Sequence, residues 1–176
     1  GPALSMSKSF YGSLPNRGII QVEWPDRYSF LQGLISQDIQ KLSEARILYG
    51  CLCTPQGKFL HDFFIHEGDG FILLDCEGGK RADDLYHRLN KYRLRSDVFL
   101  SVEESNPVYA VFGLDTGLYD PRHFKLGWRS FEKPECQEKS FSEWDKERIL
   151  LGIPDGSRDM EIERSTLLEC HIDKYN

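Results

Sequence analysis

Residues 51–66, CLCTPQGKFLHDFFIH, bring two thiols, two imidazoles and one carboxylate, Asp62, onto a single short stretch. Three chemistries could use such a set: a metal site, a redox dithiol, or a hairpin that exists to present Asp62. A zinc centre takes about four nitrogen and sulfur ligands, usually from C-x2–4-C knuckles and a paired histidine element. The order C-x-C followed by H-x4-H fits that pattern poorly. Residues two apart on a strand share a face, so Cys51 and Cys53 can point together, but His61 and His66 point to opposite faces. At most one imidazole can meet the thiols. Free cysteine is among the most buried residue types, and small buried hydrophobes are the favoured reading of both.

Asp62 is the odder residue. It stands in FLHDFFI, between Phe59, Leu60 and Phe63, Phe64, Ile65, in mid-strand, where aspartate is normally disfavoured. A carboxylate there is paired, hydrogen-bonded or functional, and a purely structural Asp62 bonded to a backbone group or an arginine remains an open reading. Its neighbours depend on hairpin register. A two-residue loop of Gln56-Gly57 pairs Cys51 with Asp62 and Tyr49 with Phe64, placing all four on one face. A three-residue loop pairs Gly50 with Asp62 and leaves an uncrowded pocket beside the carboxylate. Either surround suits a flat heterocycle.

The elements that must position this stretch are legible in outline. RGIIQVEW reads as a strand, and the Phe30, Leu31, Leu34, Ile35, Ile39 period predicts a helix over 26–40, with Pro25 in its first turn. Residues 45–79 hold three β-rich runs split by Pro55-Gln56-Gly57 and Glu67-Gly68-Asp69-Gly70, a three-strand antiparallel meander. A helix over 82–94 comes next, with Leu85, Leu89 and Tyr92 on one stripe, and then DVFLSVEE and PVYAVFGL return to strand. Together these make an α+β layer. Residues 115–140 are rich in turn formers and resist assignment. A last helix is predicted from Ser142, with Asp145 three residues on in a loose capping box, to Gly152, where Pro154 stops it.

Composition sets outer limits. The 176 residues suffice for one full core or two small ones, 40% are hydrophobic and 28% charged, and no run approaches the roughly 20 apolar residues of a membrane span. A net charge of −6 argues against a general nucleic-acid footprint, although KRADDLYHRLNKYRLR is locally basic and reads as a solvated helix face or an anion-docking one. Five scattered cysteines without a signal peptide fit a reducing compartment. GPALS ahead of Met6 reads as a cloning remnant, and the ending LLECHIDKYN reads as a cut from something longer.

Taken in order, FLQGLISQDIQKL, LCTPQGKFLHDFFI, ERILLGIPDGSRD and LLECHID resemble the YgfZ-type folate-binding family, relatives of the glycine cleavage T-protein, an aminomethyltransferase. The resemblance implies a ring of three domains around a channel that holds tetrahydrofolate or a related reduced folate. It implies a split first domain over 6–48 plus 142–176, a ferredoxin-like insert over 49–141, and a barrel-like third domain beyond Asn176. Asp62 matches the family's folate-contacting, catalytic carboxylate, with His61 in place of the aspartate before it. Tyr49 matches a folate-lining tyrosine, Arg148 a channel-facing arginine, and Glu169 the glutamate upstream of the K-G-C-Y-x-G-Q-E signature, which would begin after Asn176; Cys170 is not that signature's cysteine.

The function so implied is folate binding in support of iron–sulfur cluster assembly or repair, without independent catalysis by this chain. An aminomethyltransferase of the glycine cleavage type, or a non-catalytic folate scaffold, is the alternative. The expected setting is a monomer in the bacterial cytoplasm or, alternatively, the mitochondrial matrix. Iron–sulfur assembly or client proteins are the expected partners, with no direct nucleic-acid contact and no membrane.

Overall fold

The computed structural model describes residues 9–114, 117–153, 155–158, 160 and 162. The chain runs β1 (Phe10–Leu14), β2 (Arg17–Glu23), α1 (Arg27–Gln32), α2 (Leu42–Ala45), β3 (Ile47–Cys53), β4 (Phe59–Glu67) and β5 (Phe71–Glu77). It continues through α3 (Lys80–Lys91), β6 (Phe99–Glu103), β7 (Val108–Phe112), β8 (Leu118–Tyr119), β9 (Trp128–Ser130), β10 (Gln137–Glu138) and α4 (Phe141–Leu150). Three short 3-10 turns lie at Ile39–Lys41, Phe124–Leu126 and Gly156–Arg158. No helix of the described residues is long and apolar enough to cross a membrane.

Two compact units divide the contacts of the described residues, one drawn from residues 9–15 with Pro107–Ile153, the other from Asn16–Asn106 with the described residues after Ile153. In the second unit five antiparallel strands lie in the order β3-β4-β5-β2-β6. The meander read from the sequence is β3-β4-β5. Because strand side chains alternate, one face of this sheet is apolar: Ile20, Val22, Leu48, Leu52, Phe63, Ile65 and Leu74 pack with Leu85 and Leu89 of α3 and with Phe30 and Leu31 of α1. Gly18 lets α3 come close, since a Cβ there would sit 2.9 Å from that of Ala82. The opposite face carries Arg17, Tyr49, Asp62, Phe64, Asp75 and Glu77, as the register of facing pairs requires.

The first unit is described by its own sheet, β10-β1-β7-β9-β8, in which β1 and β10 run parallel and the other pairs antiparallel. Trp144 and Arg148 of α4 are buried in it. Strand β1 is absent from the sequence reading, and β8 to β10 fall in the turn-rich region, where two or three residues cannot show a period.

Three expectations change. The helix over 26–40 is helical only at Arg27–Gln32: Ile35 forms a bridge with Leu52, the Ser36 amide donates to the Cys51 carbonyl, and the Asp38 side chain accepts from the Gln40 amide. Strand-edge and side-chain acceptors there compete with the helical ladder. The helix over 82–94 starts at Lys80 and ends at Lys91, leaving Tyr92 exposed outside the apolar stripe. The Ser142 capping box does not form; α4 begins after Ser140, and Asp145 accepts from Arg148 Nε at 2.9 Å instead.

The division of contacts also differs from a 6–48 plus 142–176 domain around a 49–141 insert. Strand β2 pairs with both β5 and β6, which puts residues 17–23 in the meander's sheet, while β7 pairs with β1. Strand partners belong to tertiary register, and a one-dimensional pattern names strands without naming what they pair with.

Candidate functional site

The hairpin that carries Asp62 combines features of both registers read from the sequence. Its loop is the three-residue one: the Thr54 amide donates to the Lys58 carbonyl at 2.8 Å, and Cys53 faces Phe59. The ladder then shifts, so that Leu52 faces His61, Cys51 faces Asp62 and Tyr49 faces Phe64. Leu60 is the extra residue of a bulge, which restores the pairing a two-residue loop would have given. Tyr49, Cys51, Asp62 and Phe64 therefore share one face, and all four are buried.

On that face the Tyr49 hydroxyl donates to Asp62 Oδ2 at 2.5 Å. Gln37 Nε2 in turn donates to the Tyr49 carbonyl at 3.0 Å, and the Tyr49 and Phe64 rings stand 5.1 Å apart. Arg17 from β2 approaches across the sheet, yet its Nε donates to Asp75 Oδ1 at 2.8 Å and its Nη2 to the Asp75 carbonyl at 3.0 Å. Asp62 Oδ1 is buried and has no hydrogen-bond partner among the described residues. Burying an unsatisfied carboxylate oxygen is costly, and such an atom calls for an explanation.

Glu77, at the end of β5, is the neighbouring carboxylate. Arg81 Nε donates to its Oε2 at 2.8 Å, and Ser157 donates to its Oε1 through both backbone N–H, at 2.8 Å, and Oγ, at 2.9 Å. This seats the Gly156–Arg158 turn against the sheet. Gly156 has φ of +58, and a Cβ on it would overlap Glu77 Oε1 and lie 3.3 Å from Asp62 Oδ1. Only a glycine backbone passes that closely between two carboxylates.

Burial pushes the Asp62 carboxyl up to about 6, and the charges of Glu77 and Asp155 add to the rise, against the Tyr49 hydrogen bond and Arg17. Burial also works against charge on Glu77, but its bonds from Arg81 and Ser157 outweigh it and hold that carboxyl below its ordinary value. The site thus pairs a firmly ionised Glu77 with an Asp62 whose proton is exchangeable near neutrality.

His61 does not join this site. It points to the apolar face, buried, with Nε2 at 2.7 Å from Asp84 Oδ2 and Arg81 Nη1 at 3.5 Å. Burial, aided by Arg81, pushes its pKa down to about 4. Cys51 is a buried thiol and Cys53 a half-buried one. Among the described residues no three His, Cys, Asp or Glu side chains are grouped to hold a metal ion. A cavity of about 350 Å³ opens at the hairpin tip, lined by Leu34, Ile35, Cys53, Thr54 and Tyr92, and Asp62 is not in its lining.

The structure therefore joins Tyr49 to Asp62. Arg148 stands in the other unit, buried, where it donates to Asp145 Oδ1 and, through Nη1 at 2.7 Å, to the Ile153 carbonyl. Glu169 and Cys170 lie outside the described residues. Sequence reasoning missed Arg17, Glu77, Gly156 and Ser157. The segment GIPDGSRD carries a resemblance, but nothing in it shows that Ser157 folds back onto a strand 80 residues earlier.

No protein-family model matches the chain. It is 27% identical to the iron–sulfur cluster assembly factor IBA57 homolog, mitochondrial, of Mycosarcoma maydis, across 91% of this chain and 47% of that protein. It is 24% identical to the mouse IBA57, across 90% of this chain and 55% of that protein, and 26% identical to the human one, across 84% and 51%. These similarities support the resemblance to the YgfZ-type family read from the sequence. The chain spans about half the length of the curated relatives it matches. Its fold resembles the crystal structure of glycine cleavage system aminomethyltransferase T from Bartonella henselae, with a TM-score of 0.52 and 18% identity over 61% of this chain and 30% of that one. The α+β architecture with two largely antiparallel sheets is T-protein-like, and at that identity the likeness speaks for fold alone.

Proposed function

We propose that the protein is an iron–sulfur cluster assembly or repair factor of the YgfZ type that binds a reduced folate at Asp62. The assembly role rests on one observation: relatives named as mitochondrial iron–sulfur cluster assembly factors match along most of this chain. Their names also favour the mitochondrial setting over the bacterial cytoplasm, and iron–sulfur assembly or client proteins as partners.

The folate reading is supported by the donor set. A bound reduced folate brings ring N–H donors, and Asp62 Oδ1 is a buried acceptor in need of one. Tyr49 holds the other carboxylate oxygen, so the group has one fixed and one open oxygen, an orientation device for a single donor edge. Phe64 and Tyr49 supply an aromatic wall. Arg148 and Glu169 are proposed as further folate contacts through the family resemblance, with Arg148 toward the acidic tail. Asp62 serves here to bind and orient, and no independent catalysis is assigned to this monomeric chain. The likeness to an aminomethyltransferase is one of fold and carries no transferase activity to this protein.

Two experiments test the reading. Calorimetric titration with tetrahydrofolate should show binding, weakened in Asp62→Asn by about 1.5–3 kcal/mol, the worth of a hydrogen bond to a charged group. Undiminished binding by Asp62→Asn would remove Asp62 from the site. Depleting the protein in cells should lower the activity of enzymes that carry iron–sulfur clusters, and wild type should restore it. Undiminished cluster enzymes after depletion would end the assembly reading.

A further inference from the structure

We propose that Glu77 is a positioning residue that keeps Asp62 Oδ1 unpaired, and so in need of a ligand's N–H, by taking both hydrogen-bond donors of Ser157. The inference deepens the folate reading and rests on it for the identity of the ligand. The clamp itself stands on this chain's own geometry.

The turn at Gly156–Arg158 lies against two carboxylates at once. Gly156 passes between Glu77 Oε1 and Asp62 Oδ1, close enough to both that a side chain there would meet each of them. The next residue carries two donors, a backbone N–H and a hydroxyl, and Glu77 Oε1 accepts both, at 2.8 and 2.9 Å. Among the described residues Asp62 Oδ1 is left without a donor, beside a turn that has donors to give. Two carboxylates compete for one set, and Glu77 has it.

Glu77 wins because it is anchored. Arg81, in the first turn of α3, donates Nε to Glu77 Oε2, and its Nη2 donates to the Leu60 carbonyl in the bulge of β4. One guanidinium thus fixes the Glu77 carboxylate relative to the strand that carries Asp62. The groups facing Asp62 are Tyr49 from β3, Arg17 from β2, Glu77 from β5 and Asp155 from the turn, and Arg17 is engaged by Asp75. Among these, Tyr49 alone donates to Asp62, and to the other oxygen. A ligand N–H is then the donor that completes the carboxylate. The turn covers Asp62 without satisfying it.

Removing Glu77 should free the Ser157 donors to turn to Asp62 Oδ1, closing the acceptor that the ligand needs. The test uses the full chain with Glu77→Ala and Glu77→Gln. The glutamine keeps a carbonyl acceptor for Ser157 while Arg81 keeps the Leu60 carbonyl, so it also guards against a fold defect. In the free protein, Ser157 amide exchange and the carboxyl-carbon titration of Asp62 by NMR are followed; tetrahydrofolate binding is then measured by calorimetry.

In Glu77→Ala the Asp62 titration should move down and Ser157 exchange should change, because its amide has a new acceptor. Tetrahydrofolate affinity should fall by about tenfold or more, the worth of a lost charge-assisted hydrogen bond. Glu77→Gln should keep Ser157 protection and most of the affinity. If Ser157 exchange stays the same in Glu77→Ala, or if affinity is unchanged while the turn detaches, the proposal is overturned. Should wild type not bind tetrahydrofolate at all, the folate reading falls, and Ser157 exchange with the Asp62 titration still decides whether Glu77 holds the turn off Asp62.

Discussion

The Tyr49 hydroxyl donates to Asp62 Oδ2 at 2.5 Å inside the protein, while Oδ1 of the same carboxylate meets no donor among the described residues. One oxygen is fixed and the other is held in reserve. Such a group costs stability, and that cost can be measured.

Asp62→Asn should stabilise the protein at pH 8. The folded-state pKa of about 6 lies above the ordinary 3.8, so between those values the folded chain holds a proton that the unfolded chain releases, and Asp62 lowers stability as pH rises through that window. Asparagine keeps an acceptor for Tyr49 and removes the charge. A gain on the order of 2–3 kcal/mol is expected above pH 7 and should vanish near pH 4. Urea unfolding of both proteins at the two pH values is the measurement, and a variant less stable than wild type at pH 8 would contradict the site's electrostatics.

His61 should give the opposite slope over nearly the same range. Its folded-state pKa of about 4 lies below the ordinary 6.5, so the unfolded chain binds a proton that the folded chain excludes, and His61 raises stability as pH climbs between those values. The two residues oppose one another, and wild-type stability should be nearly flat there. Asp62→Asn should expose the slope of His61, and adding His61→Gln should flatten it again. A steep wild-type profile, or a double variant that stays steep, would show that other groups govern this range.

Arg17→Met should be far more damaging than Arg88→Met. Arg17 and Asp75 form a buried pair at 2.8 Å, with side-chain exposures of 11% and 0%, whereas Arg88 and Asp84, at the same distance, are 34% and 45% exposed. Taking the cation from a buried carboxylate costs about 3–5 kcal/mol. An exposed i,i+4 helix pair contributes about 0.3–0.5 kcal/mol. Chemical denaturation of the two variants compares them directly; similar losses would mean that Asp75 is held by something other than Arg17.

Much of this was legible in the sequence, and the gaps have physical causes. Asp62 stood out because an ionisable residue in an otherwise apolar strand conflicts with strand propensity, and its carboxylate proved both hydrogen-bonded and incompletely satisfied. The hairpin register was half legible. Loop chemistry at Pro55-Gln56-Gly57 set the turn, but the bulge at Leu60 answers to the burial of Phe63, Ile65 and Leu48 on the opposite face, a demand that only packing expresses. Helix α1 came out short for a similar reason, since Ile35 bridges to Leu52 and the Ser36 amide found the Cys51 carbonyl on the edge of β3.

By itself the sequence determined the α+β class, the meander, and the presence of one anomalous carboxylate with Phe64 on its face, because strand period and turn residues act over short separations. Tertiary structure alone decided which strands flank that meander, that Arg17 belongs to Asp75, and that Ser157 comes back to Glu77 beside Asp62. Those pairings join residues 58 and 80 positions apart. They are fixed by burial and by competition among donors and acceptors in space, which no local pattern records.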